Sequence, residues 1–204
     1  MSYNYKSKTA DELETISQSL LARYPFALKN GKPDIELLVE KYPLKIIPRV
    51  DLNKLTVLDA YLPRIDGIML VDADLANDLP RYRLTLAEEI SHRELEPDLW
   101  KAGVPVGACI YELDPQLYDD VEGDAYRLAL AILMPAGYFR ERFDSLKNQI
   151  SVAAKDPKDI NPLTVEIMAK EFEVTFDACA SRCHILNICK VQIKKPRLPG
   201  AVIF

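Results

Sequence analysis

Apolar residues recur along most of this chain at intervals of three and four, and they run together only in a few short stretches. Residues 10–24 carry Leu13, Ile16, Leu20 and Leu21 at helical spacing. Thr9 precedes them with Glu12 three positions on, the reciprocal arrangement that satisfies the first free N–H groups of a helix. A turn at 29–33, built on Asn30, Gly31 and Pro33, separates this helix from a second one that Pro33-Asp34 opens and that runs through Leu37, Leu38 and Tyr42. Residues 44–50 are β-rich and predict a short strand. Asp66-Gly67 followed by Ile68-Met69-Leu70-Val71 predicts a turn leading into a buried strand.

The second half is dominated by helical periods. Residues 80–95 place Leu84, Ala87 and Ile90 three apart, with Leu86 beside them. Glu96-Pro97 ends that helix, because a residue before proline avoids the helical region. Residues 104–113 read as extended. Residues 115–134 predict a long helix with Leu117, Val121, Ala125, Leu128, Ala129 and Ile132 on one face, and Pro135 starts a short helix through Phe139 and Phe143. The polar stretch 155–162 is a loop or hinge. Helices at 163–172 and 177–187 precede an extended, proline-broken tail at 190–204. Helices, a few strands, then helices again make an α+β arrangement in a single domain over 1–204.

Composition narrows the function. A chain of 204 residues, 49% hydrophobic and 28% charged, buries a core and is unlike a disordered one. A net charge of -5, with basic residues concentrated only at 190–197, argues against direct nucleic-acid binding. The sequence also lacks the interleaved basic and aromatic residues of a base-stacking surface. The longest apolar run, 128–136, is too short to span a bilayer, and the residues after Met1 lack the apolar core of a signal peptide. The expectation is a cytoplasmic protein with no membrane partner, in which Cys109, Cys179, Cys183 and Cys189 are reduced thiols. Cys179 and Cys183 share a helix face near His184 and Cys189. They predict small packing residues rather than a second metal cluster.

One stretch carries chemistry: Arg83-Leu84-Thr85-Leu86-Ala87-Glu88-Glu89-Ile90-Ser91-His92. It has the layout of H-E-x-x-H, in which two ligands four residues apart project from one helix face. The glutamate between them can deprotonate a zinc-bound water. Glu88 stands where the first histidine belongs, Glu89 in the general-base position and His92 in the second ligand position. A third ligand must come from another helix. Glu122 is placed for this, since it shares a face with Ala125 and Ala129, whose small side chains allow close helix approach.

Residues 83–92 resemble the R-F-T-L-A-H-E-L-G-H block of the ImmA/IrrE metallopeptidase family. Glu122-Gly123-Asp124-Ala125-Tyr126-Arg127-Leu128-Ala129-Leu130-Ala131-Ile132-Leu133-Met134-Pro135 resembles its second block, E-x-x-A-N-x-F-A-A-x-L-L-M-P. The resemblance extends over about 10–190. It implies a zincin-like metallopeptidase fold, with a small sheet packed on the motif helix and a helical C-terminal half. It also implies zinc held by Glu88, His92 and Glu122, Glu89 as general base, and DNA-binding repressors as substrates. The departures are Glu88 for histidine, Ser91 for glycine and Tyr126 for asparagine.

Glu88 changes the chemistry of such a centre. Two carboxylates and one histidine cancel the charge of a divalent ion, so a bound water is less acidic than with two histidines. An oxygen-rich site also makes manganese or magnesium more competitive with zinc. Without any metal, three crowded carboxylates raise one another's pKa, and His92 pairs with Glu122 as a salt bridge. Two readings follow: a non-catalytic or weakened homologue that binds a protein partner in trans, such as a transcriptional repressor, and an active endopeptidase using a Glu-His-Glu metal site.

Overall fold

The computed structural model describes residues 5–42, 44–56, 58–62, 67–95, 115–153 and 156–192. Helix α1 (Ala10–Arg23) begins at the expected capping box. The Glu12 N–H donates to the Thr9 hydroxyl oxygen, and the Thr9 N–H donates to the Glu12 carboxylate at 2.7 Å. Its buried face is Leu13, Ser17, Leu20 and Leu21. Strands β1 (Leu28–Lys29) and β2 (Lys32–Pro33) form a two-residue hairpin. The tip residues Asn30 (φ 52) and Gly31 (φ 74) both occupy the left-handed region that such a turn requires. Helix α2 (Ile35–Lys41) follows, capped by Asp34, whose carboxylate accepts from the Leu37 N–H.

The main sheet has three strands. β3 (Lys45–Arg49) runs parallel to β5 (Ile68–Asp72) in the register Lys45↔Ile68 to Arg49↔Asp72. β4 (Ala60–Tyr61) lies antiparallel on the other side of β5. The excursion from β3 to β5 holds α3 (Leu52–Thr56) and β4, which no sequence period announces because neither completes two turns or three residues. Asp72 fastens it: its buried carboxylate accepts from the Asn53 and Asp74 N–H groups.

Five longer helices build the rest: α4 (Leu79–Leu95), α5 (Pro115–Leu133), α6 (Ala136–Ala153), α7 (Ile160–Phe172) and α8 (Phe176–Ile185). Two differ from the sequence expectation. α6 is not short, because Leu146 continues the buried face of Phe139 and Phe143 one more turn. The 155–162 loop is mostly ordered structure: Asp156 caps a 3-10 turn at Pro157–Asp159, and α7 starts already at Ile160, with Pro162 tolerated in its first turn. The extended segment expected at 104–113, and most of the tail, lie outside the described residues.

The result is a mixed α+β protein, mostly helical with a small sheet. α5 is its centre. Every residue from Leu128 to Met134 is buried, and an all-round apolar helix end has to be surrounded by other elements. α4 packs most extensively against it, and α1 covers a further side. Among the described residues no helix is long and apolar enough to cross a membrane.

Candidate metal centre

The α4–α5 seam is where the two motif blocks meet. On α5, Val121, Ala125, Leu128, Ala129 and Ile132 are buried, and on α4, Leu84, Ala87, Ile90 and Ser91. Alanines at 87, 125 and 129 thin the layer between the two helices, as the spacing predicted. The small residues put Glu122 opposite His92: the Nε2 of His92 lies 3.6 Å from Oε1 of Glu122. His92 is buried and Glu122 half-buried. The separation of the two side chains bears on a metal. Two ligands held at zinc bond lengths in a tetrahedral site stand about 3.4 Å apart.

Glu88 lies one turn before His92 on the same face of α4, and Glu89 beside it. Glu89 has a strongly perturbed carboxyl. Burial pushes its pKa up from 4.5 to about 7, His92 pulls against this, and the Glu122 and Glu88 carboxylates add to it. The residue as a whole keeps some exposed surface. One imidazole and two carboxylates, with a third near enough to feel them, suit a divalent cation by donor type. If the centre is loaded, Glu88, His92 and Glu122 are the residues that hold the ion. The His92–Glu122 pair is the contact of this set that stands at ligand-to-ligand distance. Among the described residues, no three His, Cys, Asp or Glu side chains converge tightly enough to hold an ion.

Two of the residues that depart from the resembled motif blocks, Ser91 and Tyr126, have partners of their own. Ser91 is fully buried and donates its hydroxyl back to the Ala87 carbonyl at 2.7 Å, which satisfies the polar atom within α4. Tyr126 reaches across to the Ser181 hydroxyl on α8 at 3.5 Å. Arg83, the first motif residue, anchors the start of α4. It donates to the Pro33 carbonyl at 3.0 Å and lies 3.6 Å from Glu173.

Asp124, two positions beyond Glu122, is the residue that spacing alone did not single out. It is fully buried. It accepts from the Tyr5 hydroxyl (2.7 Å), the Ser7 hydroxyl (3.2 Å), the Lys8 N–H (2.6 Å) and Arg127. A segment before the first helix is thereby tied to the helix that presents Glu122. The available signal was an aspartate inside an otherwise apolar helical run, which needs partners that a one-dimensional reading cannot supply.

The cysteines behave as packing residues with one addition. Cys179 and Cys183 are buried in α8 and Cys189 is half-buried, all three as free thiols. Cys183 lies beside both of the others, and its pKa is pushed up to about 12, first by Cys179. Thiols held protonated in this way are poor nucleophiles. Cys109 lies outside the described residues.

No protein-family model matches the chain, and no curated protein does. Among solved structures, a Mycobacterium tuberculosis transcriptional regulator has a similar backbone, with a TM-score of 0.57 at 14% identity, over 97% of this chain and 50% of that one. The chain therefore spans half the length of that regulator, and at this identity the likeness is one of fold.

Proposed function

We propose that this chain is a regulatory protein of the ImmA/IrrE type. In this reading it has a zincin-like fold and acts in the cytoplasm, and its degenerate centre no longer cuts efficiently but belongs to a module that binds a protein partner. The observation that carries this reading is the His92–Glu122 pair at 3.6 Å in a seam where Glu88 replaces a histidine. With a carboxylate at 88, the centre has three acidic groups around one imidazole. The acids neutralise a divalent ion and leave little Lewis acidity for activating water. Without the ion, imidazole and carboxylate satisfy each other. The description of the structural neighbour as a transcriptional regulator supports a regulatory setting. A DNA-binding repressor acting in trans is the partner class that the family resemblance favours.

One observation favours the second reading, an active endopeptidase. Glu89 follows Glu88 directly on α4, and its carboxyl is close enough to His92 and Glu122 to feel both charges, which is where a general base is needed. A divalent ion held by Glu88, His92 and Glu122 would polarise the scissile carbonyl, and Glu89 would take the proton from the attacking water.

Calorimetric titration of chelator-stripped protein with zinc and manganese, beside Glu122→Ala, separates the two. The regulatory reading expects binding weaker than micromolar and no peptide cleavage. Micromolar or tighter binding that Glu122→Ala abolishes, with cleavage lost in Glu89→Gln, replaces it with the enzyme.

A further inference from the structure

Among the described residues, β3 is paired on one side only, by β5. Which of its backbone groups face the other side follows from one bond. The Lys45 N–H donates to the Gly67 carbonyl at 2.7 Å, with Lys45 opposite Ile68. In a parallel ladder a residue directs both its N–H and its C=O to the same neighbour, and the next residue directs them away. Lys45, Ile47 and Arg49 therefore serve β5, while Ile46 and Pro48 turn outward. Pro48 has no N–H. The outer edge thus offers the Ile46 N–H and C=O and the Pro48 carbonyl, enough to pair a short extended segment and unable to propagate further.

Beside this edge lies a cavity of about 500 Å³ between α2, β3 and the start of α4. Its floor is apolar, with Val39 and Leu44 buried and Ile46 half-buried. Tyr82 closes one end, beside Glu36. Glu36 and Glu40, both exposed and one turn apart on α2, form an acidic rim, with Lys45 across from them. Tyr82 stands ten positions before His92, about 15 Å along α4, so this groove is separate from the metal centre.

We propose that this groove docks an extended segment of a partner protein that carries a lysine or arginine. The segment pairs with Ile46 on the edge of β3 that, among the described residues, no strand covers. The methylenes of its basic residue lie on Val39, Ile46 and Tyr82, and its charged end reaches Glu36 and Glu40. This rests on the partner-binding reading above and names the chemistry of that partner. A DNA-binding protein is rich in basic residues, and this chain, at a net -5, is of the opposite sign.

The test uses the full chain and two fluorescein-labelled probes, the peptide Gly-Val-Lys-Val-Arg-Val-Gly and its copy with glutamate at both basic positions, read by anisotropy. The basic peptide binds, and the acidic one binds at least tenfold more weakly. The double substitution Glu36→Lys, Glu40→Lys changes only exposed side chains. It weakens the basic peptide at least tenfold, and its circular dichroism confirms an unchanged fold. The Ile46 amide exchanges freely in the unliganded chain and becomes protected in the complex. Equal binding of both peptides, no loss in the double variant, or an Ile46 amide already protected without peptide overturns the proposal. NMR shifts that fall on Glu88, His92 and Glu122 instead of the groove also overturn it, while leaving partner binding intact. Absence of binding overturns the groove alone, since the metal titration decides the broader reading independently.

Discussion

Glu89 has a pKa raised from 4.5 to about 7, which makes stability depend on pH in a definite direction. The folded protein holds this proton more tightly than the unfolded chain does. The carboxyl therefore contributes stability that is full below pH 4.5 and is lost as pH rises through 7. Allowing for the surface the residue keeps, the loss is about 2 kcal/mol. Glu89→Gln is neutral at every pH and keeps the shape. In the presence of chelator it should match the parent near pH 4 and exceed its stability at pH 8 by about that amount, measured by urea denaturation. Equal stability at pH 8 would show that the carboxyl is solvated. Its neighbour supplies a second expectation. Glu88→His restores a neutral nitrogen ligand opposite the His92–Glu122 pair, and zinc affinity should rise by about tenfold or more. An unchanged affinity in calorimetry would mean that the three donors cannot close on one ion in this seam.

Two glycines show how elements constrain residues. Gly31 sits at the tip of the β1–β2 hairpin with φ +74, and a methyl group there would lie 2.3 Å from the Tyr138 ring of α6. Gly123 lies inside α5, and a methyl there meets nothing within 4 Å. Gly31→Ala should therefore destabilise by about 1–3 kcal/mol through strain and overpacking. Gly123→Ala should stabilise by about 0.5–1 kcal/mol through helix propensity alone. Thermal unfolding of the two variants should move in opposite directions, and a shared direction would break the argument. The same local logic explains what could be read from the chain. α1, α4 and α5 follow from apolar spacing and caps, and that spacing also carried Glu88, Glu89, His92 and Glu122 to one seam. α3 and β4 are too short to have a period. The full length of α6 depends on Leu146 finding a core to enter, and the Asp124 anchorage depends on Tyr5, Ser7 and Lys8 folding back over α5. Such contacts are set by packing between distant segments and leave no local pattern.

At the scale of the whole molecule, the two ends of the described chain share one core. A single cluster of buried apolar residues runs from Leu13 in α1 to Leu186 after α8. Arg182 reinforces the junction. Its guanidinium is fully buried, its Nε donates to the Met134 carbonyl at 2.9 Å, and its two terminal nitrogens grip Glu14, 168 positions earlier. Chains of this length often unfold in steps. Among the described residues the sheet, the motif helices and the C-terminal helices all contribute to this one cluster, so a single transition is expected. Far-UV circular dichroism and tyrosine absorbance should give one midpoint in urea. Arg182→Met leaves the largely buried Glu14 carboxylate without its partner, a change that costs about 3–5 kcal/mol. Both probes should shift together to a lower midpoint with the slope unchanged, because the same surface is still exposed at once. If the helical signal instead lost cooperativity while the tyrosine signal held its midpoint, the α1–α8 junction would be a local clasp, and the α4–α5 seam with its candidate centre would stand as an independent folding unit.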